Sequence, residues 1–406
     1  MHLMSGPRWA MTILGVTACS VPVLAQAQTL VQTPPAPRIE WRDGKTRLTL
    51  DNAYLEISNR LQFRYTHEFP DETAEPLPGT AIPGDSRGSF RIRRARLKLE
   101  GWFMQPPASG ELPRWSYEVQ VNWLGIGDTG AVLEDAALMW TPRGDPRFRV
   151  VFGQFKAPMG RQQLTSSTGQ QFVDRSLVSD EYSRGREVGV AVQGALFGDR
   201  LEYRAGLFNG NGQARSTNDN ASFQTNARVM WQPNGADSLA HRVWTGGALY
   251  SEADFESTTT PIYAIAVAFE RNDFHRTTAA NDLRSTVIGV DGVFKFKGFF
   301  ATVEYYARRR TPEVGAEFDS NGGFVQLGMM LNPARTWEAA FRYGTRDVND
   351  LIGDDDVTEI RGGINYYYRR HRLKFQADVG RTETGREVCV SPRRDHELRL
   401  QAQFVF

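Results

Sequence analysis

Two short runs place a cation at alternate positions. In "NRLQFRY", Arg60, Gln62 and Arg64 fall on one parity and Leu61, Phe63 and Tyr65 on the other; in "RRARLKLEG", Arg94, Arg96 and Lys98 oppose Ala95, Leu97 and Leu99. A period of two is that of an extended strand, so each run should present its charges on one face of a sheet. If the two strands are neighbours, five cations share one wall. A guanidinium is always charged, and its planar fork holds two oxygens of a phosphate or carboxylate at once, so such a wall would attract and bind anions. The residue types leave a second reading open: the same cations pair with acids of their own parity, such as Glu56, Glu100 and Glu118, and hold the wall together.

A further set of cations brackets residues 157–186: Lys156, Arg161, Arg175, Arg184 and Arg186, offset by Asp174, Asp180, Glu181 and Glu187. Between them "TSSTGQQ" offers hydroxyl and amide groups that can replace part of a solute's hydration shell. Nothing in the chain points to bond-making. His residues are few and scattered, and neither a Ser, His and Asp set nor an HExxH motif is present, so no catalytic residue and no cofactor is expected. The acidic run "GDDDV" at 353–357, with Asp347 and Asp350, has hard oxygen ligands but no calcium-loop spacing; it reads as a solvated loop and no metal site is expected.

The elements that carry these residues follow from the chain as a whole. Arg8, the apolar stretch "AMTILGVTACSVPVL" and the small residues Ala25 and Ala27 before Gln28 read as a signal peptide over residues 1–27, so the protein is expected to be exported. A lipoprotein signal ending at Cys19 is the alternative. Cys389 would then be the sole cysteine of the mature chain, which excludes an internal disulfide. Basic and acidic residues would number 47 each once Arg8 is removed from the 48 and 47 of the full chain, so no nucleic-acid partner is expected. No later stretch is apolar enough for a transmembrane helix. What remains is a soluble exported domain or a closed barrel, the other structure that satisfies every backbone group in lipid.

Strand-like alternation runs from Tyr54 onward, as in "WSYEVQVNWL" (115–124), where Trp115, Tyr117, Val119, Val121 and Trp123 oppose Ser116, Glu118, Gln120 and Asn122. The short connections "TPRGDP", "FGDR", "QPNGADSLAH", "KG", "NPAR" and "RRH" interleave with long ones at 66–88, 157–186, 209–222, 251–283, 310–321, 346–356 and 382–394, with "GIGDTG" at 125–130 the short exception among them. Tight turns at one end and long loops at the other are the outer-membrane arrangement. Seventeen segments have strand character, an odd number that a bacterial barrel does not use. Leaving residues 261–271, "PIYAIAVAFER", inside the loop 251–283 gives sixteen; eighteen is the alternative if that segment finds a partner. The expected fold is therefore an all-β, transmembrane antiparallel barrel of sixteen strands over 53–406, preceded by a periplasmic segment at 28–52. The final run "HELRLQAQFVF" puts Leu398, Leu400, Ala402, Phe404 and Phe406 on one parity, as a closing strand pairing near Tyr54 would. Its terminal Phe looks like the signal read by the barrel assembly machinery. Such a barrel meets outer-membrane lipid and lipopolysaccharide.

The stretch "VFGQFKAPMGRQQLTSSTGQQFVDRSLV", continuing through "SRGREVGVAVQGALFGDRLEYRAGLFNGNG", resembles the phosphate-selective porin O and P family, with "GQFK" to "FVDRS" the most specific part. The resemblance implies a homotrimer of sixteen-stranded barrels, each with an inward-folded third loop that narrows a passive, water-filled pore and favours inorganic anions such as phosphate or polyphosphate. A loop turned outward toward glycan is the other option for 157–186. Here the chain departs from the family: Lys occurs only at 45, 98, 156, 295, 297 and 374, and Arg supplies most positive charge. A general or carbohydrate-permeable porin is the alternative function.

Overall fold

In a computed structural model the chain is described over residues 37–406, apart from 73–83, 105–106, 108–110, 125–129, 216, 235–247, 258, 275–282 and 386–391. The expected signal peptide with Cys19, most of "GIGDTG", and Cys389 lie outside the described residues.

A short hairpin, β1 (Arg38–Arg42) and β2 (Lys45–Thr49), precedes sixteen longer strands. The first eight are β3 (Ala53–Phe69), β4 (Arg87–Phe103), β5 (Trp115–Asn122), β6 (Val132–Trp140), β7 (Arg149–Lys156), β8 (Arg186–Leu196), β9 (Leu201–Phe208) and β10 (Gln224–Trp231). The other eight are β11 (Ile262–Phe274), β12 (Leu283–Phe296), β13 (Phe299–Pro312), β14 (Phe318–Met330), β15 (Trp337–Asp347), β16 (Val357–Arg369), β17 (Leu373–Thr384) and β18 (Arg393–Val405). Each pairs antiparallel with the next, and β18 returns to β3 with Val405 opposite Arg60 and His396 opposite Phe69. The cylinder is closed, so no edge is left unpaired in lipid.

Parity decides which way each side chain points. On β5, Ser116, Glu118, Gln120 and Asn122 are buried toward the interior, while Trp115, Tyr117 and Val119 lie outside. Outward aromatics meet in pairs near the tight-turn end, with Trp115 beside Trp140 and Trp337 beside Tyr366, the girdle expected where a barrel crosses the membrane interface.

One expected boundary is overturned. Residues 262–274 are not loop but β11, paired along its length with β12 and also with β10. The count of sixteen stands: most of "QPNGADSLAH" lies outside the described residues, and residues 248–250, just before the expected loop at 251–283, make a single 3₁₀ turn. The physical reason is that Leu249, Tyr250, Ala253 and Phe255 are buried by the barrel's inward-facing side chains rather than by lipid, so their apolar character does not mark a strand. β11 is built to receive them. Its outward positions are Tyr263, Ile265, Val267 and Phe269, and its inward ones Ala264, Ala266 and Ala268, small enough to leave room for Tyr250 and its neighbours.

The closing strand pairs as expected with the strand that begins beside Tyr54. β18 pairs with β3 only from Arg60 upward, and Phe406 exchanges backbone hydrogen bonds with Asn59. Tyr54 is instead opposite Thr49, because β2 takes over β3's edge where β18 ends.

Candidate functional site

β3 and β4 are neighbours, with Arg60 opposite Arg96, Gln62 opposite Arg94 and Ser58 opposite Lys98. Two β-bulges interrupt this part of the wall. The first places Ile92 opposite Phe63, leaving Arg93 as the extra residue; the second, between β5 and β6, leaves Glu134 as the extra residue. A bulge re-aims side chains that strict alternation would send outward. Arg93 thereby reaches within 3.7 Å of Asp174, and Glu134 joins Asp135 on the buried face.

The two readings of the cationic wall divide it. Arg96 is paired with Glu134 at 2.5 Å, Arg186 with Glu134 and Asp135 at 2.8 Å each, and Lys98 with Glu100 at 2.8 Å and Glu118 at 3.1 Å. Among the described residues, no carboxylate lies within ion-pair distance of Arg60, Arg94, Lys156 or Arg175. Their hydrogen bonds go to neutral groups instead. Arg60 donates to the Ser167 hydroxyl at 3.2 Å and Arg94 to the Gln62 carbonyl at 2.8 Å. The Lys156 ammonium donates to the carbonyls of Leu164 and Thr165, both at 3.0 Å, and Arg175 to those of Gln162 and Thr165. A cation held by carbonyls keeps its full net charge, whereas an ion pair contributes only a dipole.

These four cations line one cavity of about 250 Å³, together with the paired Arg96, Lys98 and Arg186. Its other walls include Lys45 and the hydroxyl residues Ser58, Ser166, Ser167 and Thr168. Nε of Arg60, Arg94 and Arg96 is buried without a hydrogen-bond partner among the described residues. The cavity is thus rich in donors, and cationic side chains outnumber the acids Glu100, Glu118 and Asp135 on its lining.

Residues 157–185, between β7 and β8, are held against inward-facing side chains from many strands. Arg64 of β3 donates to Asp174 at 2.6 Å and Arg399 of β18 at 3.2 Å. Arg342 of β15 donates to the Asp174 and Arg175 carbonyls and stacks on Phe172. Burial alone would push the Asp174 carboxyl up, but Arg64 and Arg399 hold it well below the usual carboxylate range. Glu181 is lowered in the same way, burial being outweighed by Arg308, Arg346 and Arg310. From the opposite end of the barrel, the Glu252 carboxylate accepts from Gln162, from the backbone N–H of Gln171 and from Gln326 of β14.

Three of the residues singled out from the sequence lie elsewhere. Arg64 belongs to the Asp174 clamp. Arg161 is buried against Asp291 at 3.0 Å and over the Tyr250 ring. Arg184 bonds Glu187 at 3.1 Å and lines a separate cavity with Glu270, Arg308 and Arg310. Lys156 and Arg186 terminate β7 and begin β8 rather than standing on the loop. Sequence reasoning missed Arg93, hidden by the bulge, and Arg342 and Arg399, which the inward parity of their strands marks. Asp355 of the "GDDDV" run is buried, and no group of three or more metal-ligating side chains occurs among the described residues.

A closed sixteen-stranded barrel with a polar, ion-paired interior and an apolar exterior defines an outer-membrane porin, a channel protein of the bacterial outer membrane. The family model for phosphate-selective porin O and P matches residues 79–406, and the chain belongs to that family. An anion-selective porin from Comamonas acidovorans shares the fold at a TM-score of 0.60 and 10% identity, over 87% of this chain and 100% of that one. The outer-membrane channel DcaP of Acinetobacter baumannii aligns at a TM-score of 0.58 and 11% identity, over 87% and 98%. The trimer form of OmpT from Vibrio cholerae aligns at 0.54 and 13%, over 88% and 100%. None of the curated proteins compared with the chain matches it.

Proposed function

We propose that the protein is a passive, anion-preferring pore whose permeation path runs through the cavity between β3, β4 and the third loop, with inorganic phosphate or polyphosphate among its solutes. The observation that carries this reading is the set of four cations, Arg60, Arg94, Lys156 and Arg175, that face one cavity with no carboxylate partner among the described residues. The family and the anion-selective porin among its structural neighbours point the same way. In this reading residues 157–185 fold into the channel and narrow it, with Asp174 and Glu181 as their anchors. Residues 1–27 are removed on export, and the barrel assembles as a trimer, as the OmpT neighbour does. The hydroxyls of Ser166, Ser167 and Thr168 favour a second reading, a pore that also passes neutral polar solutes such as sugars. Reversal potentials of the purified porin in a KCl gradient across a planar bilayer test the first reading: the potential should carry the sign of chloride permeation, and added phosphate should reduce the chloride current. A cation-signed potential, or one near zero with unimpeded sugar flux, would replace it.

A further inference from the structure

The N-terminal hairpin is not part of the barrel's closure in sequence, yet it completes the wall in space. β18 stops at Val405 opposite Arg60, and below that point β2 pairs with β3 at Thr46 to Ile57, Arg47 to Glu56, Leu48 to Leu55 and Thr49 to Tyr54. The hairpin turn at Gly44 sits against Phe406 and needs glycine there: its φ is +74°, and a Cβ added at this position would lie only 3.2 Å from the Phe406 Cα. Asp43 of the same turn lies 3.5 Å from Arg372 in the connection between β16 and β17.

What the hairpin brings to this position is charge. At the tight-turn end of the cavity, β3, β4 and β5 supply three carboxylates, Glu56, Glu100 and Glu118, and only one cation in contact with them, Lys98, which is divided between Glu100 and Glu118. Glu56 has no barrel-borne cation among the described residues. It is held instead by the hairpin's Lys45 ammonium and by Arg47 Nε at 2.9 Å, with the Tyr54 hydroxyl donating at 3.0 Å. Lys45 also lies 3.7 Å from Glu100 and lines the cationic cavity. Without the hairpin's two charges this mouth would be a cluster of three acids around one ammonium, an anion-repelling gate in series with an anion-attracting chamber.

We infer that Lys45 and Arg47 are specificity-determining residues: the N-terminal hairpin neutralises an acidic mouth and so keeps the pore open to anions at its periplasmic end. The inference rests on the anion-preferring reading above. It also makes the mouth's charge local to one side of the membrane, so its loss should produce asymmetric current.

The test uses the full-length porin in planar bilayers, with Lys45→Gln, Lys45→Arg and Lys45→Gln/Glu56→Gln variants whose folding is checked by heat-modifiable migration. Lys45→Gln should lower the anion/cation permeability ratio about twofold at 0.1 M salt and make the current–voltage curve asymmetric. Raising salt to about 1 M on one side only should abolish the asymmetry, and on the other side should not. Lys45→Arg should behave as wild type, and adding Glu56→Gln should restore the ratio, because the mouth is neutral again. An anion-preferring wild type with unchanged Lys45→Gln, or a Lys45→Gln defect that Glu56→Gln does not repair, overturns the hairpin's role while leaving the pore assignment intact. A wild type without anion preference overturns the pore assignment itself.

Discussion

Arg94 and Arg96 share β4 and line the same cavity, but Arg96 is paired with Glu134 of β6, so neutralising Arg94 and neutralising the ion pair should have different effects. A sphere of the cavity's 250 Å³ has a radius of about 4 Å, which places an ion at its centre about 6 Å from a lining charge once an atomic radius is added. At the dielectric constant of water that separation corresponds to about 0.7 kcal/mol. Screening with a Debye length of about 10 Å at 0.1 M salt reduces it to about 0.4 kcal/mol. Anion occupancy then rises about twofold and cation occupancy falls by about the same factor, so one uncompensated charge changes the permeability ratio about fourfold. At 1 M salt, where the Debye length is about 3 Å, the effect shrinks to about 1.4-fold. Arg94→Gln should therefore lower the anion/cation ratio about fourfold at 0.1 M and hardly at all at 1 M. Neutralising Arg96 and Glu134 together removes no net charge and should leave the ratio nearly unchanged, whereas Arg96→Gln alone should lower it, because Glu134 is left behind. The assay is the reversal potential of each variant in symmetric-pH salt gradients. An unchanged Arg94→Gln pore, or a double variant that shifts as far as Arg94→Gln, would falsify the division of the wall into compensated and uncompensated charge.

Asp174→Asn should unclamp the third loop from Arg64 and Arg399, a loss of about 3 kcal/mol of local stability for a partly buried pair, and appear as added single-channel current noise at pH 7. The pH dependence has a definite sign: the Asp174 carboxyl lies below its ordinary value, so its stabilisation is complete above the unfolded value of about 3.9 and is lost as pH falls through the folded one. Wild-type noise should accordingly stay low at pH 5 and rise only in stronger acid; noise already rising at pH 5 would contradict the clamp. Deleting Phe406 removes both backbone bonds to Asn59 and should reduce the amount of assembled barrel without altering the conductance of what does assemble. Purified protein in mild detergent should run as a heat-modifiable trimer with a β-dominated circular-dichroism spectrum, and a strictly monomeric species would count against the assembly.

The barrel was legible because lipid and a polar interior impose a period of two on every strand, and Trp115 to Asn122 shows it without interruption. The placement of Arg60, Arg94, Arg96 and Lys98 on one inward face followed from the same period. What the period cannot show is a departure from itself. The bulges at Arg93 and Glu134 add one residue to one strand, and nothing in the local residue types announces them. Nor does alternation reveal partners: Glu134 and Asp135 neutralise Arg96 and Arg186 across strands distant in sequence, so the division into paired and free cations is a tertiary property. The strand at Ile262–Phe274 is hard to delimit from sequence because apolar residues around Tyr250 are buried by the interior side chains of β10, β11 and β13, an environment that looks like lipid in sequence. The hairpin's charges went unnoticed for a simpler reason. Lys45 and Arg47 precede the alternation that marks the barrel, and only pairing with β3 brings them to Glu56.

The central claim, that free cations in the cavity make the pore prefer anions, is tested most directly by the reversal potential of a fourfold variant, Arg60→Gln, Arg94→Gln, Lys156→Gln and Arg175→Gln, against wild type in a KCl gradient at 0.1 M mean salt. The wild-type potential should have the sign of chloride permeation, and the variant's should move to zero or reverse while conductance at 1 M salt remains comparable. A correctly assembled variant with the wild-type potential would contradict the account.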